Sequence, residues 1–218
     1  MSPSTSIASC SLCGKKEKTD FICPEGHYIC EECRLDSPER LIKRVCISSV
    51  ESNPLKIALP LLRHPAITMH GPEHHYLVAC VLLATLKNSG KFNIGENSFD
   101  EALGRIRKIP YGSCGLLGAC GAAVGVGVAI SIATKANWMS NKERSLSMRS
   151  VSEVSKKISE IGGPRCCKAS TFVSLELAAR FLESNLGVKI SPTENLGPCE
   201  FAGNNEDCLK NRCPYYGR

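Results

Sequence analysis

The chain has 218 residues, of which 43% are hydrophobic and 22% charged, enough apolar material to bury a core and too much for a disordered chain. Its net charge of +6 is dispersed in short groups such as Lys15-Lys16, Lys43-Arg44 and Arg105-Ile-Arg107-Lys108, so contact with nucleic acid is permitted without being required. Fourteen cysteines behind MSPSTSIASC, which lacks the apolar run of a secretory leader, argue against a secreted disulfide framework and for a cytoplasmic protein whose thiols serve as metal ligands, reactive groups or small buried side chains.

Residues 1–36 carry few large apolar side chains, so metal is expected to supply the stability of this segment. Cys10-Ser-Leu-Cys13 and Cys30-Glu-Glu-Cys33 are two C-x2-C pairs with zinc spacing. The expected module is treble-clef-like or ribbon-like, a knuckle joined to the start of the helix that follows Ser37-Pro38-Glu39. Cys23 and His27 lie between the pairs. A two-zinc module needs two full sets of four ligands, more than the segment supplies, so one zinc is expected, with Cys23 or His27 able to replace one of the four. His27 reads equally well as a turn residue that hydrogen-bonds the knuckle.

Residues 37–198 read as a mainly α bundle. Apolar residues recur at helical spacing, as in Leu41 and Val45, then Leu77, Val81 and Leu82, then Phe172, Leu175 and Phe181. Met69-His70-Gly71-Pro72-Glu73-His74-His75 opens one of these helices and offers three imidazoles beside a carboxylate. Glu73 with His74 or His70 supplies an acid-base pair or a metal site. Further on, Cys114 to Thr134 is uncharged, and its Gly, Ala, Val and Ser content suits a central Gly/Ala-rich helix enclosed by neighbours better than a membrane span. Within it, Cys114 is expected in a glycine-rich loop and Cys120 in the first turn of the buried helix, where the helix dipole favours a thiolate. Ser140-Asn-Lys-Glu143 is read as a capping box, Gly162-Gly163 as the stop of that helix and Pro164 as the start of the next.

Gly162-Gly-Pro-Arg165-Cys166-Cys167-Lys168 puts two adjacent thiols between two cations at a helix N-terminus. Neighbouring helical positions point about 100° apart, so one of Cys166 and Cys167 is expected to join Cys114 and Cys120. Three convergent thiolates suit a [4Fe-4S] cluster with one open iron, or a zinc with one open position. Iron-sulfur is preferred because soft thiolates and inward amides match it. Arg165 and Lys168 are the expected anion-binding groups. In the Cys-rich tail, residues 199–218, Cys199, Cys208 and Cys213 form three-quarters of another metal clip, to be completed by Cys46, Cys80, Cys166 or Cys167. The run from Asn211 to Tyr216 has the look of a short basic-aromatic nucleic-acid patch.

Taken together, HGPEHH at 70–75, GSCGLLGACGAA at 112–123 and GGPRCCK at 162–168, behind an N-terminal knuckle, resemble a cysteine-rich domain-of-unknown-function family of methanogenic archaea and other anaerobes. Its members are sometimes attached to, or labelled as, methyltransferases. No glycine-rich strand-turn-helix with a downstream acid is present here, so that label does not transfer, whereas an anaerobic host fits an oxygen-sensitive cluster. The function expected from these readings is a metalloprotein enzyme acting on a small, sulfur-containing substrate by sulfur transfer or desulfuration. The alternative is a non-enzymatic zinc module that recruits RNA or a protein.

Overall fold

The computed structural model describes residues 6–191 and 197–217. The N-terminal segment forms a short antiparallel hairpin, β1 (Ser6–Ser9) against β2 (Lys16–Thr19) with Ser6 opposite Thr19, followed by the short helix α1 (Glu31–Leu35). The second C-x2-C pair therefore sits at the start of α1, one element earlier than the spacing predicts. Next comes α2 (Pro38–Ser48), capped by Ser37, whose hydroxyl accepts from the Arg40 amide; Pro38 occupies the first turn, where no amide donor is needed. Asn53 does the same for α3 (Pro54–Arg63), accepting from the Leu55 and Lys56 amides.

Two helices share the centre of the body. One is α4 (Glu73–Asn88), in which every residue from Tyr76 to Leu86 is buried, with α2, α3, α5 (Glu96–Ile106) and α9 (Cys167–Leu186) packed on it. The other is the Gly/Ala-rich α7 (Gly121–Ala133), which contacts α4, α5, α8 (Lys142–Ile161) and α9. Close approach of α4 and α7 depends on Gly125, because a Cβ there would lie 2.6 Å from the His75 carbonyl oxygen. The thirteen residues of α7 extend about 20 Å, short of a bilayer's hydrocarbon core of about 30 Å. No helix among the described residues is long and apolar enough to cross a membrane.

Local expectations fail at three places. Cys114 lies on a one-turn helix, α6 (Ser113–Leu116), whose C-terminal amides fold back on Ser113, rather than in an open loop. Ser140 does not cap α8: its hydroxyl accepts from the Asn137 amide, while the Asn137 side chain accepts from the Met139 and Ser140 amides, so a self-contained turn replaces the capping box and Asn141 is the N-cap. Gly162 ends α8 with a positive φ, as expected, but Pro164, joined to Gly163 by a cis peptide, lies outside α9, which starts at Cys167 with Cys166 as its N-cap.

The tail is packed onto α9. The Phe172 ring stands 5.2 Å from Tyr215 and 6.3 Å from Phe201, the Tyr215 hydroxyl donates to Glu176, and Arg63 pairs with Glu200 at 2.9 Å.

Candidate metal centre and thiol-lined cavity

The hairpin and α1 bring the first four cysteines together. The loop between β1 and β2 closes on itself through the Gly14 amide to the Cys10 carbonyl and the Cys10 amide to the Lys15 carbonyl. This presents Cys10 and Cys13 to Cys30 and Cys33 at the start of α1. All four sulfurs lie within 4.8 Å of one another, and Cys13 Sγ is 3.7 Å from Cys30 Sγ. Bonds of about 2.3 Å to a tetrahedral ion put sulfurs about 3.8 Å apart. Burial opposes ionisation of Cys10, but the Cys13, Cys30 and Leu12 amides outweigh it and bring the thiol down to about 7. Burial and neighbouring thiols push Cys33 up. Four sulfurs this close cannot all ionise unless a cation sits among them, and the group can hold a metal ion. Cys23 and His27 stand apart in an exposed turn, where the His27 amide donates to Cys23 Sγ at 3.2 Å.

A second set of thiols lines an open cavity of about 300 Å³ in the body, whose wall includes Cys114, Cys120, Cys166, Cys167, His75 and Arg165. Three separate elements deliver the thiols: α6 carries Cys114, Cys120 is the N-cap of α7, and Cys167 is the first residue of α9. Burial raises Cys167 to about 11, with the Gly71 amide and Arg165 acting in the opposite direction. His75 sits against the N-terminus of α7, where a Cβ on Gly121 would come within 2.2 Å of its ring, so only glycine admits it. His75 Nδ1 is buried without a hydrogen-bond partner, and burial lowers the pKa of the ring. Sequence reasoning gave the acid-base role to its neighbours. The signal for His75 was the i, i+4 pair Gly121 and Gly125, two places where α7 admits the first turn of α4.

The neighbours are held by other contacts, although His74 also lines the cavity. His74 is fully buried, its Nε2 donating to the Thr68 carbonyl and its Nδ1 3.0 Å from the Thr171 hydroxyl; burial brings it down to about 4. The Glu73 carboxylate accepts from the Thr68 amide and hydroxyl, so Glu73 and His74 together tie the preceding loop to α4. Lys168, expected to bind anions, is 2% exposed; its amine donates to the Leu62 and Ile67 carbonyls, lies 4.9 Å from the centre of the Phe201 ring, and is lowered to about 8 by burial. Arg165 does reach the cavity rim, stacked 4.7 Å over Tyr111. His70 turns to the tail, its Nε2 3.2 Å from Asn205 Oδ1. Cys199, Cys208 and Cys213 line a separate small cavity, and Cys166 forms part of its wall. Of the thiols named as completing that clip, Cys46 and Cys80 lie fully buried in the core, where burial pushes both well up.

No curated protein and no solved structure matches the chain. A family profile does match, over residues 42–216, a span that begins after the N-terminal four-cysteine module and takes in both thiol-lined cavities. The chain belongs to that family, DUF5714, a family of unknown function.

Proposed function

We propose that the protein is a metalloenzyme in which Cys114, Cys120 and Cys167 hold a [4Fe-4S] cluster in the open cavity, while Cys10, Cys13, Cys30 and Cys33 hold a structural zinc. The observation that carries this reading is the convergence of three thiols from three separate elements on one cavity wall. The donor set suits the group: thiolates are soft ligands, the Gly71 amide points at the Cys167 sulfur, and Cys120 and Cys167 both sit where a helix begins. Bound by three cysteines, such a cluster supplies one open iron as a Lewis acid for a small, sulfur-containing ligand.

The chain's own groups do the rest. His75, kept neutral by burial, is the proton carrier at the wall, and Arg165 at the rim recognises an anionic group of the substrate. The walls are otherwise largely apolar, which suits an apolar portion of a small substrate. Sulfur transfer or desulfuration is the reaction class this arrangement fits. The alternative, recruitment of RNA or a protein, has its support in the N-terminal module, where Phe21 is 85% exposed near Lys16 and Lys18 on β2.

Purification without oxygen tests the choice. The enzyme reading expects brown protein with iron, acid-labile sulfide and about one zinc per chain, and expects Cys167→Ser to lose the iron of the open cavity, about four atoms per chain, while retaining the zinc. Colourless, zinc-only protein that binds RNA in a salt-sensitive way would reject it.

A further inference from the structure

We infer that Cys166, Cys199, Cys208 and Cys213 form a second, closed iron-sulfur site that fastens the C-terminal tail to the start of α9. The inference does not rest on the three-thiol site. All four sulfur-bearing residues line one small cavity of about 20 Å³, walled by Phe172 and Phe201. The fourth ligand that the tail lacks is thus supplied by the N-cap of α9.

Spacing favours a cluster over a single ion. The N-terminal cysteines already stand as one tetrahedral ion requires. Among the described residues no other group of three or more candidate donor atoms lies within 4.8 Å of one another, so the tail thiols are set wider. Around a single ion, sulfurs about 2.3 Å from the centre leave no space for a water-sized sphere; here one fits. A cubane cluster interposes its own irons and sulfides between ligands and needs this wider set. Its atoms stand at bonding distance from the ligand sulfurs, so the void left between them is smaller than the core it receives.

Donors are in place around the sulfurs. The Ala169 amide is 3.5 Å from Cys166 Sγ and the Lys210 amide 3.4 Å from Cys208 Sγ, while the Phe201 and Ala202 amides face Cys199. Asn205 Oδ1 receives the Asp207 amide and contacts His70 Nε2, which leaves the amide NH2 to face Cys166 Sγ at 3.7 Å. Amide donors to ligand sulfurs stabilise the charge of such a centre. The buried Lys168 amine lies 4.9 Å from the Phe201 ring that walls the cavity. Loading converts four thiols to thiolates and releases four protons to solvent. With every ligand position filled by protein, the centre can pass single electrons and cannot bind substrate.

The test uses the full chain purified or reconstituted without oxygen. Cys199→Ser and Cys213→Ser are each expected to lose about four irons and four sulfides per chain while retaining zinc, and Cys114→Ser, which strikes only the three-thiol site, is expected to keep this second set. Iron and sulfide unchanged in Cys199→Ser and Cys213→Ser would overturn the site. A second zinc in place of iron, lost in Cys199→Ser, would overturn the cluster in favour of an ion. Should those variants fail to fold, alkylation of the unmodified holoprotein decides: Cys166, Cys199, Cys208 and Cys213 should be protected together and released together when iron is chelated. Modification of one while iron and the other three remain protected would overturn the assignment.

Discussion

The N-terminal module and the helical body handle cysteine in opposite ways. In the module, four sulfurs are drawn within 4.8 Å of one another by a hairpin and a one-turn helix that have almost no core of their own. In the body, the thiols that line cavities sit at the ends of helices or in the tail, around a core of long helices that would stand without them. The contrast separates two physical orders of assembly. In the first, four sulfurs that can hold an ion stand in for a core; in the second, hydrophobic burial creates the fold, which then sets thiols at fixed places.

The strongest way to break this comparison is Cys30→Ser. Structural zinc is worth about 10–16 kcal/mol to a small module, so with the proposed zinc bound in the parent chain the variant should lose it and become cleavable by protease within residues 1–36, while the body keeps its helical circular dichroism and melting point. A melting point that falls with the zinc would show that the two parts fold as one.

Next in size is Gly125→Val, aimed at the body alone. The added side chain meets the His75 carbonyl and the first turn of α4, and should cost about 3 kcal/mol, the upper part of the range for overpacking. That corresponds to a fall in Tm of roughly 6–12 °C. Gly104→Ala on α5, where nothing lies within 4 Å, is the control and should raise stability by about 0.5–1 kcal/mol.

Acid gives a third contrast. The His74 pKa is lowered by burial to about 4 in the folded chain from an ordinary 6.5. Its stabilising effect is therefore complete above pH 6.5 and is lost progressively as pH falls towards 4, because the unfolded chain binds the proton first. Between pH 8 and pH 5 the body should lose about 2 kcal/mol from this residue, seen as a lower urea midpoint, and His74→Gln should flatten the dependence. His64 and His75 act in the same direction.

The smallest effect sharpens the border between the two parts. Arg44 on α2 reaches back to Glu32 and Asp36, both at 2.7 Å. Arg44→Ala should cost under about 1 kcal/mol and should speed amide exchange in α1 before that in α4.

Legibility in the sequence follows the same divide. The four-cysteine group that can hold a metal was readable because C-x2-C spacing carries its own geometry, and the helices were readable because Leu41, Val45 and their like keep the helical period. Less of the body's site was. Both Cys166 and Cys167 reach the open cavity because α9 starts at Cys167 rather than Pro164, which leaves Cys166 as its extended N-cap, also lining the tail cavity. Glu73 and His74 share a short motif with His75, yet the register of α4 bonds both to the Thr68 loop, with His74 still on the cavity wall, and sets His75 against Gly121. Lys168 resembles an anion-binding residue in the string GGPRCCK and is instead consumed by two backbone carbonyls.

Air is the everyday hazard for such a chain, and the split of Cys166 from Cys167 determines how it would be damaged. Adjacent residues hold their Cα atoms about 3.8 Å apart, closer than the usual disulfide separation, and here the two thiols also serve different cavity walls, Cys167 the open one and Cys166 that of the tail as well. Oxidation to a mutual disulfide would require the first turn of α9 to come undone. The pair is thus protected from the shortest oxidative route, which leaves the exposed thiols, Cys23 in the N-terminal turn and Cys114 on α6, as the places where ageing begins.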